Sequence, residues 1–264
     1  MKIPPIALGL YTVYQHACED FPQTIARVAK MGYEGVEMYG EPEQFPAELV
    51  KKTLAGYGLP LVGWHIEWKH LQPDTIESSI GFFHEVGLKN VMIPCLGGKW
   101  GVGHTPDEEK EERWDRYLKR IEEIRSRLEK EDIRLGYHNH EHEFQIHYGG
   151  QRLFDKLYQK MDPRIIMELD TGNAIEGGAD PAQICAETSD RTIFLHCKPY
   201  SKQNGFDITL GDESDANQWE LIVTQANNQY KWLIIECESS VLDEMENARR
   251  CIDGLKTRLT NMQE

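Results

Sequence analysis

The stretch IRLGYHN, residues 133–139, has the form of a β-strand that is apolar along most of its length and ends in polar residues. Runs of the same kind, rich in strand-forming residues, recur along the chain with helical patterns between them. Such alternation predicts repeated βα units around a parallel sheet. The eight runs are IALGLY (6–11), GVEMY (35–39), LPLVGWHI (59–66), NVMIPC (90–95), IRLGYHN (133–139), RIIMEL (164–169), TIFLHC (192–197) and KWLIIEC (231–237).

The segments between these runs carry helix signals. FPQTIARVAKMG (21–32) places apolar residues at helical spacing and ends in Gly32, a common helix stop. TPDEEKEERWDRYLKRIEEIRSRLEKED (105–132) opens with acidic residues and closes in a basic-rich turn, which matches the helix dipole. Eight βα units close a barrel of about 250 residues. We therefore predict the α/β class, as a single (β/α)8 TIM barrel that forms one domain over residues 1–264.

Composition excludes several classes of function. The net charge of −15 argues against binding to nucleic acid or to anionic membranes, which need a basic surface. No apolar stretch approaches the roughly 20 residues of a membrane-spanning helix. The six cysteines stand singly, without CxxC pairs, which favours free thiols in a reducing cytoplasm. The composition therefore predicts a soluble cytoplasmic protein that binds neither nucleic acid nor membranes, and self-association is left open.

Polar residues gather where the predicted strands end. Active sites of such barrels lie at the carboxyl ends of the strands, and residues spaced by two share one face of a strand. A set of imidazoles and carboxylates without thiolates is typical of a catalytic divalent ion, with Zn, Mn, Fe, Co or Mg all suitable. The strand-end residues are Glu37, His65 with Glu67, His138 with His140, Glu168 with Asp170, His196 with Lys198, and Glu236 with Glu238.

Four of these segments carry a family resemblance. YHNHEHEF (137–144), LDTGN (169–173), HCKPYS (196–201) and IIECE (234–238), in this order, resemble the xylose-isomerase-like barrel superfamily of sugar phosphate isomerases and epimerases. That group includes ketose 3-epimerases, inosose dehydratase and, more distantly, endonuclease IV. The opening LGLYTVY (8–14) and GYEGVEMYG (32–40) resemble its first two strands, so the resemblance spans essentially the whole chain.

The resemblance implies one bound divalent metal ion, commonly Mn, held by side chains of strands five to eight. Asp170, His196 and Glu236 match three of these ligands. His138 stands where relatives often carry a glutamate, so the strand-five ligand is His138 or its neighbour His140, or else three residues and water hold the ion. Zn, Co, Mg and Fe are the alternatives to Mn. For Asp170 the competing interpretation is a helix N-cap.

The resemblance also implies roles in catalysis and substrate binding. Glu236 matches the strand-eight carboxylate that moves a proton, and His138 would be the opposing acid or base. Lys198 would stabilise oxyanion charge or contact the substrate. The predicted substrate contacts are His65, His140, Glu143 and Trp100, although His65 could instead pack beside Trp64 and Trp68, and Glu143 could be a loop charge. His142 and His147 are expected in an exposed loop, and they receive no role.

The predicted function is a metal-dependent sugar isomerase or epimerase that acts on a small keto-sugar, or a related polyol carbonyl compound, through an enediolate. The alternative is a lyase or dehydratase of a keto-sugar, keto-inositol or 3-keto-glycoside. A non-catalytic sugar-binding barrel and an endonuclease IV-like hydrolase rank lower, the latter because of the net charge and because Asn173 stands where a further histidine is expected. The segment 198–214 ends acidic, which favours an unphosphorylated sugar.

Overall fold

A computed structural model describes residues 3–98, 110–191, 193–225, 230–238 and 241–260. Within them, eight parallel strands form a closed barrel in the order β1-β10-β9-β8-β5-β4-β3-β2. This confirms the predicted (β/α)8 class. The barrel strands are β1 (Ile6–Gly9), β2 (Gly35–Tyr39), β3 (Leu61–His65), β4 (Asn90–Ile93), β5 (Arg134–His138), β8 (Ile166–Asp170), β9 (Phe194–Cys197) and β10 (Trp232–Ile235).

Each barrel strand lies within or beside its predicted run, and most are shorter. The first run was expected to continue to Tyr11, but a 3-10 helix begins at Leu10. The last run was expected to reach Cys237, and the strand stops at Ile235, so that Glu236 follows directly after its end. A small antiparallel hairpin outside the barrel, β6 (His147–Tyr148) and β7 (Gln151–Arg152), was not predicted.

Helices of very different length connect the strands. The longest described, α5, occupies most of the predicted segment 105–132, whose first residues lie outside the described part. In α2 the side chain of Asp20 accepts a hydrogen bond from the Gln23 amide and so caps the helix. The helices are α1 (Tyr14–Glu19), α2 (Phe21–Lys30), α3 (Ala47–Tyr57), α4 (Ile76–Val86), α5 (Glu111–Glu129), α6 (His142–Gln145), α7 (Leu153–Lys160), α8 (Thr171–Glu176), α9 (Pro181–Glu187), α10 (Trp219–Gln225) and α11 (Glu244–Thr260).

The buried apolar residues form two clusters. The larger one packs the strands against the helices, and the smaller one contains Ala7, Val62, Met92, Ile166, Phe194 and Ile234. Ile166, Phe194 and Ile234 each stand two residues before a polar strand-end residue, so they share its strand face. The smaller cluster is therefore an apolar floor inside the barrel, beneath the polar residues at the carboxyl ends of the strands.

One glycine makes room for this floor. A Cβ atom on Gly136 of β5 would lie 2.1 Å from the sulfur of Met92. Met92 fills the barrel interior at this level, so no larger residue fits opposite it without repacking. As for membranes, none of the described helices is long and apolar enough to cross one.

Candidate metal centre at the barrel mouth

Four side chains converge above the apolar floor. His138 ends β5, Asp170 ends β8, His196 lies in β9 and Glu236 follows β10, and all four are buried. Each offers one nitrogen or oxygen atom, and these atoms lie within 4.8 Å of one another. The four predicted metal ligands, which come from segments up to about a hundred residues apart in the chain, are thus brought together.

The two carboxylate oxygens of Asp170 have different surroundings. Its Oδ1 accepts a hydrogen bond of 2.7 Å from the Asn173 amide and caps α8. Its Oδ2 is buried, has no hydrogen-bond partner, and lies 3.8 Å from Nε2 of His138. The two interpretations of Asp170, cap and ligand, therefore do not compete, because different atoms are involved.

The two histidines of the cluster are each held by a carboxylate on one ring nitrogen. Nε2 of His196 lies 2.7 Å from Oε2 of Glu37, and Nδ1 of His138 lies 3.2 Å from Oε2 of Glu168. Because an ionised carboxylate only accepts hydrogen bonds, these nitrogens carry the protons. In the neutral form of each ring, the form that binds a metal ion, the lone pairs are then on Nδ1 of His196 and Nε2 of His138, the atoms that face the cluster. Metal-binding histidines typically have this arrangement.

A second group of buried residues lies against these histidines. Nε2 of His65 is 2.8 Å from Oε2 of Glu168 and 3.3 Å from Oε2 of Glu37. The His65 ring also stacks on that of His196, with ring centres 5.2 Å apart. A Cβ atom at position 63 would lie 2.6 Å from Oε1 of Glu37, so Gly63 leaves the space that this carboxylate occupies.

The atoms of this second group are also close enough together to hold an ion: those of His65, His138, Glu168 and His196 lie within the same 4.8 Å limit. They differ from the first group because each nitrogen among them is already within 3.2 Å of a carboxylate oxygen. In the first group, Oδ2 of Asp170 and Nδ1 of His196 are buried without a hydrogen-bond partner. Unpaired buried acceptors are costly, and a cation among them removes that cost. The first group is therefore the one whose residues fit a divalent ion.

Residues 25–258 match the family model described as xylose isomerase-like TIM barrel. The chain belongs to this family. The match covers most of the sequence, including all eight barrel strands except the first.

Several known proteins resemble the chain at low sequence identity. Inosose dehydratase from Geobacillus kaustophilus (strain HTA426) is 26% identical over 195 residues, which are 67% of this chain and 61% of that protein. The alignment thus spans less than two thirds of the curated relative. A sugar phosphate isomerase/epimerase from Parabacteroides distasonis ATCC 8503 superposes with a TM-score of 0.77 at 20% identity, over 95% of this chain and 97% of that one. D-allulose 3-epimerase from Methylomonas sp. gives 0.70 at 14%, over 98% of each chain. At these identities the solved structures show the shared fold.

Burial and neighbouring charges shift the pKa values of the histidines and of Asp170 in this centre. Burial alone would lower the pKa of His65, but Glu37 and Glu168 raise it to about 10. The same two carboxylates outweigh burial at His196 and raise its pKa well above the usual value. At His138, burial and the neighbouring His196 lower the pKa to about 4, so this ring is neutral. Burial raises the pKa of the Asp170 carboxyl to about 7.

Lys198 connects the cluster to the rim of the barrel. Its buried ammonium lies 3.1 Å from Oε1 of Glu236 and 2.6 Å from Oε1 of Glu238, and 4.6 Å from the ring centre of Phe206. Burial opposes the charge, but Glu236, Asp170 and Glu238 together raise the pKa of Lys198 well above its usual value. The side chain is therefore a fixed cation beside Glu236.

The segment after β5 is more ordered than the sequence indicates. Glu143 is fully buried. Its carboxylate accepts a hydrogen bond of 2.5 Å from the Tyr137 hydroxyl and one of 2.8 Å from the His140 backbone amide. The expectation that His142 is exposed was wrong: it is buried, and its Nε2 lies 2.9 Å from the Leu96 carbonyl oxygen. His147 is exposed, as expected.

The other predicted site residues have different positions. His140 is half-buried, its Nδ1 has no hydrogen-bond partner, and its atoms do not belong to either group of converging ligands. His65 directs Nε2 at two carboxylates below the mouth, and its role as a substrate contact stays a prediction. Trp100 lies outside the described residues.

Proposed function

We propose that this chain is a divalent-metal-dependent sugar isomerase or epimerase that acts on a small keto-sugar or a related polyol carbonyl compound. The observation that carries the proposal is the convergence of four buried side chains at the barrel mouth, in which Oδ2 of Asp170 and Nδ1 of His196 have no hydrogen-bond partner. The position of this group agrees with the rule that barrel enzymes act at the carboxyl ends of their strands. Family membership and the epimerases among the structural neighbours support the same class.

The proposed metal ligands are His138, Asp170, His196 and Glu236, and we propose Mn²⁺ as the natural ion, with Zn, Co, Mg and Fe as alternatives. When bound, a divalent ion supplies a Lewis acid that polarises neighbouring sugar oxygens and acidifies the C–H between them. The protein supplies rigid placement of the ligands, through Glu37 and Glu168 behind the histidines and through the helix cap at Asp170.

Glu236 is the proposed base. Burial would raise its pKa, but the charges of Lys198 and His196 hold the pKa well below the usual range, so the carboxylate is ionised and able to accept a proton. His138 is the proposed opposing group in the arrangement in which the other three residues and water hold the ion, because the lone pair of its neutral ring then stays free on the side of the cluster. Lys198 keeps its charge next to Glu236 and would stabilise negative charge on a substrate oxygen.

The second candidate is a lyase or dehydratase that removes a hydroxyl or an aglycone from the same kind of substrate. Two observations favour keeping it: the similarity to inosose dehydratase and a histidine, His138, at the strand-five position. In that reaction His140, with its unpaired Nδ1 beside the His138 ring, would be the group that delivers a proton to the departing hydroxyl. For either enzyme we propose a location in a reducing cytoplasm, which the six free cysteines support.

Deuterium exchange distinguishes the two reactions. Keto-sugars, keto-inositols and 3-keto-glycosides would be incubated with the Mn²⁺-supplemented protein in deuterated water and analysed by mass spectrometry and NMR. Incorporation of one deuterium without loss of water or aglycone supports isomerisation or epimerisation. A dehydrated or cleaved product replaces that proposal with the lyase. If the protein binds no divalent ion and no substrate shows deuterium exchange or elimination, the isomerase and the lyase proposals are both wrong.

A further inference from the structure

A cavity of about 500 Å³ opens at the barrel mouth beside the metal centre. It lies between the chain after β1, the loop after β9, the end of β10 and the start of α11. None of the four proposed metal ligands lines it, so it is an adjoining space rather than the centre itself. Its volume falls within the roughly 300–1,000 Å³ of sites that take drug-sized ligands.

The cavity and the metal centre share one wall. Lys198 contacts Glu236 of the centre on one side, and on the other it contacts Glu238 and the ring of Phe206, both of which line the cavity. A β-bridge between Asp207 and Glu238 fixes the loop after β9 to the chain after β10. Lys198 thus lies between the proposed metal centre and two residues that line the cavity, so a substrate at the centre would need to extend only past this side chain to reach the space.

Aromatic rings cover part of the cavity surface. Tyr11 is 39% exposed and lines the cavity together with Tyr14 and Phe206. The rings of Tyr11 and Tyr14 both stand edge-on to Tyr39, at centre distances of 4.9 and 5.3 Å. Rigid aromatic faces with a polar end bind flat, amphipathic rings.

Three of the other residues that line the cavity are acidic. Asp207, Glu238 and Glu244 contribute carboxylates, and no lysine or arginine occurs among the described lining residues. Lys198, which contacts two of the lining residues, already has two carboxylates within 3.1 Å. Carboxylates accept hydrogen bonds from hydroxyl groups, whereas they repel a phosphate or another anion.

We propose that this cavity binds the second, uncharged ring of a glycoside whose reacting keto-sugar lies at the metal centre. The proposal rests on the proposed function for the position of the reacting unit, and it narrows the substrate class from keto-sugars in general to unphosphorylated glycosides. Aromatic faces would stack on the second ring, and the carboxylates that line the cavity would accept hydrogen bonds from its hydroxyl groups.

Binding measurements test the proposal independently of turnover. The probes are D-fructose, D-fructose 6-phosphate and the linkage isomers of glucosylfructose, titrated calorimetrically into the Mn²⁺-supplemented protein. Saturation-transfer NMR reports which sugar ring receives magnetisation from the protein. We expect at least one glucosylfructose to bind about tenfold more tightly than D-fructose, with the glucosyl protons saturated, and D-fructose 6-phosphate to bind more weakly than D-fructose.

Substitutions locate the effect in the cavity. Phe206→Ala and Tyr11→Ala should each remove most of the advantage of the glycoside over D-fructose, and Phe206→Leu, which keeps apolar volume without a flat ring, should act in the same direction. Tyr57→Ala is the matched control, because this exposed tyrosine ends α3 at the opposite face of the barrel. Thermal unfolding of each variant verifies folding.

The outcomes separate the two proposals. Glycosides that bind no more tightly than D-fructose, a preference for the phosphate ester, or an advantage that survives both Phe206 substitutions would overturn the assignment of the cavity. Selective glycoside binding that depends on Phe206, in a protein that turns over no tested sugar, would support the cavity and reject the proposed catalytic function.

Discussion

Nε2 of His196 lies 2.7 Å from Oε2 of Glu37, while Nδ1 of the same ring lies 3.4 Å from Oε2 of Glu236. The imidazole thus connects a buried carboxylate of β2 with the cluster at the barrel mouth. Glu37 fixes both the orientation of the ring and the nitrogen that carries its proton. If the proposed centre binds a metal ion, Glu37 should therefore affect the affinity although it is not one of the proposed ligands.

Glu37→Gln should therefore weaken Mn²⁺ binding by about 10–100-fold, because an amide can present either an oxygen or an NH₂ group to His196 and no longer enforces one tautomer. Calorimetric titration with Mn²⁺ measures the change. Glu48→Gln, at an exposed glutamate of α3, is the control and should bind Mn²⁺ like the parent. Equal affinity in both variants would remove Glu37 from the metal centre.

Asp170→Asn separates the two purposes of Asp170. Asparagine is a good N-cap, so α8 should keep its start and the metal-free protein its thermal stability. The loss of the carboxylate should abolish the stabilisation that Mn²⁺ confers. In Asp170→Ala the cap is lost as well, which should cost about 0.5–2 kcal/mol of unfolding free energy without metal. Thermal unfolding of both variants, with and without Mn²⁺, checks this, and full Mn²⁺ stabilisation of Asp170→Asn would rule out Asp170 as a ligand.

Glu236→Gln should reduce kcat by about 10²–10⁴-fold on any substrate identified, because the proposed base can no longer accept a proton. The rate at which the substrate incorporates deuterium from deuterated water, measured by NMR, should fall together with kcat. The Mn²⁺ affinity of the variant is also measured, so that its kcat can be compared with that of the parent protein at saturating Mn²⁺. A rate within a few-fold of the parent would exclude Glu236 as the base.

Gly136→Ala should destabilise the barrel by about 1–3 kcal/mol, because the new methyl group would meet the Met92 sulfur inside a filled core. Gly81→Ala is the matched substitution at a helical glycine of α4 with no atom within 4 Å of the new Cβ, and it should stabilise by about 0.5–1 kcal/mol. Urea unfolding measures both. Changes of the same sign would contradict the described barrel interior.

The sequence allowed the eight strands and the polar strand-end residues to be predicted because both follow from local patterns, whereas the choice of His138, Asp170, His196 and Glu236 among them came from the family resemblance. A strand of four or five residues shows its apolar run, and a polar residue at its end is visible without knowing its neighbours. Strand ends were less accurate: a 3-10 helix begins at Leu10, and β10 stops one residue before Glu236. What terminates a strand is the packing of the following loop, and that packing involves residues distant in sequence.

The partners of the predicted residues could not be predicted for the same reason. Glu37 and Glu168 stood out as charges inside or at the end of apolar runs, yet their contacts with His196, His65 and His138 span 30 to 159 residues of sequence. His142 belongs to a polar segment, and only the carbonyl oxygen of Leu96, 46 residues away, explains its burial. Sequence patterns identified which residues are unusual, and the closed barrel determines what each one contacts.

The cap at Asp170 has a consequence for redesign. One oxygen of this carboxylate is tied to the first turn of α8, while the other belongs to the metal centre, so the backbone of the barrel itself positions the latter. The cavity walls, in contrast, come largely from the segments after β1, β9 and β10. Under the proposed function, loops grafted at these places would change the surroundings of a bound sugar while the four proposed metal ligands keep their coordinates, so substrate specificity could be redesigned without rebuilding the candidate metal centre.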